Sequence, residues 1–78
     1  MKIQDVINEL KESKSDGFQI ERRKGILTST WLLYKRKDYY YYFDINQKIE
    51  FIDSYKYTEE ELVNRLDNAY YEIELSIS

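Results

Sequence analysis

Tyr39-Tyr40-Tyr41-Tyr42-Phe43-Asp44-Ile45 puts five aromatic residues in a row and closes them with an acid and an aliphatic residue. Aromatic side chains suit a pleated, half-buried surface, so the run reads as a β-strand. Successive side chains on a strand point to opposite faces, which splits the run in two. Tyr39, Tyr41, Phe43 and Ile45 form one face and read as core, while Asp38, Tyr40, Tyr42 and Asp44 form the other. In a sheet covered on one side only, the second face is wet, and Tyr40 and Tyr42 then make an aromatic patch open to a partner, with Trp31 and Tyr34 nearby.

Upstream of the run, Thr28 to Arg36 is a second strand rich in β-branched and aromatic residues, joined to it by a turn in the basic Lys35-Arg36-Lys37-Asp38. Phe18 to Lys24 alternates Phe18 and Ile20 against Gln19, Glu21 and Arg23, and Gly25 marks its end or a bulge. Before it, Ile3, Val6, Ile7 and Leu10 recur at helical spacing, which predicts an amphipathic helix that stops before Gly17. Downstream, Asn46-Gln47 is a two-residue hairpin candidate leading to a fourth strand at Lys48 to Tyr55. Thr58 followed by Glu61 is a capping box that starts a second helix, with Tyr57 and Leu62 as a hydrophobic staple and Glu59, Glu60 and Glu61 in its first turn. The closing residues fit two templates. Leu62, Val63, Leu66, Ala69, Tyr70, Ile73 and Ile77 share a helical face, whereas Ala69, Tyr71, Ile73, Leu75 and Ile77 alternate as a strand. Asn68 is an acceptable helix stop, which tips the balance towards a short closing strand. The expected fold is α+β in one domain over residues 1–78: an N-terminal helix, an antiparallel meander of three to four strands, and a C-terminal helix followed by a short strand.

Composition narrows the function. The 78 residues include no His, Cys or Pro but nine Tyr, so the usual zinc ligands, a thiol nucleophile, a disulfide and an imidazole base are all missing. Carboxylate pairs or Ser13, Ser15, Ser29 and Ser54 are the only catalytic candidates, and with two glycines there is no phosphate-binding loop. Catalysis, a cofactor and a metal are therefore not expected. The chain lacks an apolar run of membrane-spanning length and a secretory pattern, and it is expected in the cytoplasm. Its net charge of −3 hides an asymmetry: Met1 to Lys37 carries nine cations and five acids, and Asp38 to Ser78 carries three and ten.

Three binding modes follow. Carboxylates with tyrosine hydroxyls on one surface imitate the phosphates of nucleic acid and suit the basic groove of a partner protein; Tyr40, Tyr42, Asp44 and Glu50 on the sheet, with Glu59, Glu60 and Asp67 on the second helix, are the candidate contacts. Alternatively, two copies pack as a homodimer through the tyrosine face. Thirdly, single-stranded nucleic acid stacks on Tyr40 and Tyr42 with phosphates at Arg22, Arg23, Lys24, Lys35, Arg36 and Lys37; a pI near 4.9 weighs against this.

The opening Met1-Lys2-Ile3-Gln4-Asp5-Val6-Ile7-Asn8-Glu9-Leu10-Lys11 resembles the first helix of small type II-A anti-CRISPR proteins of Firmicute prophages. That resemblance covers about a seventh of the chain. It implies a phage or mobile-element inhibitor that binds a host CRISPR effector nuclease on its DNA-engaging surface. The basic Arg22-Arg23-Lys24 departs from that pattern and argues against DNA mimicry over the whole surface.

Overall fold

A computed structural model describes all residues from Met1 to Ser78. The elements are α1 (Ile3–Glu12), β1 (Gly17–Lys24), β2 (Leu27–Arg36), β3 (Tyr39–Asp44), a single 3-10 turn (Asp53–Tyr55), β4 (Lys56–Tyr57), α2 (Glu59–Leu66) and β5 (Tyr70–Ile77). Two helices thus accompany one five-stranded antiparallel sheet of order β4-β3-β2-β1-β5. No helix is long and apolar enough to cross a membrane.

Two-residue loops set the register of the central strands. Gly25, at φ +62°, and Ile26 join Lys24 to Leu27, and Lys37, at φ +56°, and Asp38 join Arg36 to Tyr39. A positive φ at the first loop position only is the pattern of a type II′ turn, whose twist matches that of the flanking strands. With both loops fixed, Phe18 pairs with Leu33 and Leu33 with Tyr42, so these three residues share a face. That face is the one the helices cover. Its core joins Ile3, Val6, Ile7 and Leu10 of α1 and Leu62 and Leu66 of α2 to Phe18, Ile20, Leu33, Tyr40 and Tyr71.

This arrangement corrects the expected assignment of the tyrosine run. Tyr40 lies beneath the helices, only 1% exposed, and Tyr42 packs against the same core. The opposite face, carrying Tyr39, Tyr41 and Phe43, is the one without helices. Tyr41 and Phe43 are nevertheless buried there, in a second cluster with Leu32 and Tyr34, while Tyr39 and Ile45 are exposed.

The second cluster also explains why the fourth strand expected at Lys48 to Tyr55 does not form. After β3, Asp44 closes a tight turn: its carboxylate accepts a hydrogen bond from the Asn46 N–H at 2.8 Å, and its carbonyl accepts one from the Gln47 N–H at 2.9 Å. The chain then crosses the edge of β3 without pairing to it. Phe51 sets its ring edge-on to Tyr34 and Tyr41, each at 5.1 Å between centroids, and the Arg36 guanidinium lies 4.2 Å from the Phe51 centroid. Aromatic packing across the sheet therefore prevails over the alternating pattern of Ile49 and Phe51. Strand pairing resumes only at Lys56 and Tyr57, opposite Tyr41 and Tyr40.

The second helix begins where its capping box places it. The Glu61 N–H donates to Thr58 Oγ1 at 3.2 Å and the Thr58 N–H to Glu61 Oε1 at 2.9 Å, and these bonds at Thr58 hold the Glu61 carboxyl below its ordinary pKa. After Leu66 the chain turns into β5, as the alternating reading of the last residues requires. A bulge at Glu74 separates the pair Ile20 and Ile73 from the pair Gln19 and Leu75. Tyr71 and Ile73 consequently face the helices, whereas Ile77 reaches the second cluster and Leu75 stays exposed. Backbone hydrogen bonds in both directions between Met1 and Tyr71, each 2.7 Å, tie the start of the chain to this strand. Gly17 lies so close to the Leu33 carbonyl that a β-carbon would collide with it, which explains a glycine at the start of β1.

Candidate functional site

The residues expected to form one partner surface are dispersed. Tyr40 is core. Tyr42 stacks flat on Trp31, 4.4 Å between centroids and 5° between planes. Asp44 is engaged in its own turn, and Glu50 pairs with Lys48 at 3.4 Å on the chain that crosses β3. Glu59 bridges the helices: Lys11 Nζ lies 2.5 Å from one carboxylate oxygen and Gln4 donates to the other at 3.0 Å. Those bonds, with Lys11 first, hold its pKa low. Only Glu60 and Asp67 remain exposed with no ion pair or side-chain hydrogen bond. The helix exterior is acidic all the same, since residues 1–12 and 58–67 together carry seven carboxylates against three cations.

Beside α2 the fold assembles a different site, a cleft of about 620 Å³. Its position follows from the topology: β1, β2 and β3 supply the sheet side, α2 one wall, and the chain from Gln47 to Tyr57 in β4 the other. Arg22 and Arg65 contribute the only charges that line it. Neither guanidinium is in an ion pair. Arg22 donates to Asn68 Oδ1 at 3.3 Å, and Arg65 lies 5.7 Å from the centre of the Tyr57 ring. The aromatic lining is the Trp31 and Tyr42 stack with Tyr57, and at the margin Tyr55, whose ring also packs edge-on to Phe43 at 6.2 Å; Gln47 stands among them. Trp31 is fixed from behind by donating Nε1–H to Ser29 Oγ at 2.8 Å.

The polar groups at the floor are unevenly satisfied. The Tyr71 hydroxyl donates to the Leu66 carbonyl at 3.0 Å, occupying one of the acceptors that the end of α2 leaves free. Arg22 Nε and the Tyr42 hydroxyl are buried beside the Tyr71 hydroxyl without a hydrogen bond of full geometry. Burial pushes the Tyr42 hydroxyl well above its ordinary pKa, helped by the neighbouring Tyr71 and opposed by Arg22. Tyr71 is pushed up by burial too, with Arg22 and Tyr42 opposing. Both phenols therefore stay protonated, leaving the two arginines to set the charge of the cleft. Chemically, such a site can hold an anion and a flat group beside it. No group of three or more acidic side chains is placed to hold a metal ion.

Sequence reasoning named Arg22 and Tyr42 as partners for nucleic acid but missed Arg65, Gln47, Tyr55 and Tyr57, which come from three separate stretches. Strand parity would have linked Arg22 to Tyr42, since Phe18, Ile20 and Arg22 alternate on the face that the two short loops relay to β3. No family model, curated protein or solved structure matches the chain.

Proposed function

We propose that this chain is a non-enzymatic binding module that recognises its partner through an anionic group held between Arg22 and Arg65. One observation carries this reading: two guanidinium groups without carboxylate partners share an aromatic-walled cleft that no acidic residue lines. An anion in the cleft offers acceptors to two guanidinium groups that have no carboxylate partner of their own. Planar guanidinium forks match carboxylate and phosphate oxygens two at a time. Thermal unfolding with a panel of inorganic phosphate, pyrophosphate, acetate and an acidic peptide tests it. At ten times its dissociation constant a ligand adds roughly 1.4 kcal/mol, so at least one of these anions should raise Tm by about 5 °C or more. The Arg65→Ala variant should lose that shift. A wild-type protein whose Tm ignores the whole panel would end the reading.

A second reading rests on the acidic helix exterior. In it the chain is a phage or mobile-element inhibitor acting in the host cytoplasm, whose helices occupy the basic groove of a nucleic-acid-directed defence protein such as a CRISPR effector nuclease. Glu9, Glu60 and Asp67 are the exposed carboxylates best suited to contact, because Glu59 is already held by Lys11 and Gln4. Reversing those three charges to lysine should weaken inhibition of such a nuclease by roughly tenfold or more at low salt. Inhibition that survives the triple reversal would remove this reading.

A further inference from the structure

Resting on the reading of the cleft as the recognition site, we infer that its ligand is a nucleoside monophosphate unit, a planar base joined through a sugar to one phosphate. Size is the first reason. A cleft of about 620 Å³ is far larger than an inorganic anion needs and lies within the range that small organic ligands and cofactors occupy. An anion between Arg22 and Arg65 would leave most of it filled with water, so the bound group carries bulk beyond its charge.

The shape and chemistry of the walls define that bulk. Trp31 and Tyr42 form a plate two rings thick, nearly parallel and fixed by the Trp31 hydrogen bond to Ser29. Tyr55 and Tyr57 line the same space. A flat ring gains most from such surroundings, and every nucleobase has a π-face that stacks on an aromatic side chain. Gln47 offers both an amide donor and an acceptor among these rings, and its side chain's only hydrogen bond is a long one, accepted by Oε1 from the Asp44 N–H at 3.3 Å. It is free to turn towards the edge of a base, which presents both donors and acceptors. Arg22 and Arg65 line the same space without a carboxylate partner, and a phosphate brings several acceptor oxygens to guanidinium donors.

Charge beyond the cleft restricts the ligand's length. Asp44, in the turn that carries Gln47, and Asp67, next to Leu66 at the end of α2, flank the cleft. The chain as a whole carries −3. One phosphate at the two arginines is favoured, whereas a strand running out across the acidic helix exterior meets repulsion. Free nucleotide and the phosphorylated end of a strand share the chemistry that the cleft reads.

Trp31 is the only tryptophan, so its fluorescence reports on the cleft alone. Titration with AMP and with UMP should quench it saturably, while adenosine and inorganic phosphate, each half of the unit, should bind roughly tenfold or more weakly. Arg65 lies on the exposed side of α2, and Arg65→Ala should keep the fold by circular dichroism while weakening AMP roughly tenfold or more. Arg22→Lys keeps a charge but loses the fork, and is expected to weaken AMP as well. A 5′-phosphorylated oligonucleotide separates the two sources: weaker binding than AMP assigns the free nucleotide, and tighter binding assigns the strand end. Inorganic phosphate or an acidic peptide binding as tightly as AMP would overturn the nucleotide while leaving the anion cleft in place. If AMP and UMP give no quenching and the anion panel gives no thermal shift, both the nucleotide and the cleft reading fall.

Discussion

Tyr40→Ala should cost roughly 3–5 kcal/mol, the range for removing a fully buried aromatic ring. Tyr40→Phe should cost nothing or add up to about 1 kcal/mol. The ring is 1% exposed beneath α1 and α2, among Ile3, Ile7, Leu33 and Leu62 in one continuous cluster, so its loss opens a cavity that helices on both sides would have to collapse into. Its hydroxyl is a separate matter. That oxygen is buried with no hydrogen-bond partner, so it carries a desolvation cost that phenylalanine avoids. A domain of this length has about 4–12 kcal/mol of stability in total, and the alanine variant should be largely or wholly unfolded at the lower end of that range. Urea unfolding of the three proteins measures both effects. A Tyr40→Ala protein with the wild-type midpoint would mean that the side chain lies on the surface and that the helices cover the other face.

Alkaline unfolding is the second large effect expected. Burial raises the pKa of Tyr40 to about 12, with the charges of Glu59 and Asp38 adding to it. Tyr42 and Tyr71 are raised as well, each chiefly by burial. In the unfolded chain a tyrosine titrates near 10. The folded state thus holds these three protons more tightly than the unfolded state does. Their contribution to stability is complete below about pH 10 and is lost as pH rises through the folded values, which opens a window of unfolding from about pH 10 upward through about pH 12. The three phenols belong to the helix-covered layer, so their ionisation and the loss of that layer should occur together. Tyrosinate absorbance followed beside circular dichroism checks this: the last phenols to ionise should do so as the ellipticity falls. Complete ionisation of all nine tyrosines with ellipticity intact would contradict the burial on which the prediction stands.

The covered tyrosines also limit which functions the fold supports. An aromatic surface at Tyr40 and Tyr42 is not available to a large partner, because one ring is core and the other is stacked on Trp31. The surfaces proposed above for recognition are instead the cleft beside α2 and the acidic helix exterior. A homodimer through Tyr40 and Tyr42 is excluded for the same reason, and the face without helices is the one that exposes Phe51, Ile49 and Ile52 beside the buried Tyr41 and Phe43.

Local sequence determined what local physics controls. The first helix follows from apolar residues at helical spacing, the second from a capping box that satisfies its own backbone donors, and β1 to β3 from alternation and aromatic propensity. Each of these signals lies within about ten residues, and each is visible without knowing what packs where. The closing strand is nearly balanced against helix in sequence, because apolar residues at 69, 73 and 77 serve both periods; pairing with β1 resolves it, as a free edge strand is an available partner and a longer helix would leave Tyr71 wet.

Tertiary structure decided the rest. Which face of the tyrosine run is covered depends on a parity carried through two loops, where a change of one residue in loop length inverts every side chain of β3. The failure of the expected fourth strand depends on Phe51 finding three aromatic rings across the sheet edge, a contact between residues that alternation alone does not connect. The bulge at Glu74 divides a perfect alternation between two faces. The cleft depends on all of these together, since Arg22, Tyr42, Tyr57 and Arg65 come from four elements. Short-range pattern fixes elements because backbone hydrogen bonding and side-chain period are local; it does not fix faces or sites, because those are set by register and packing between residues far apart in the chain.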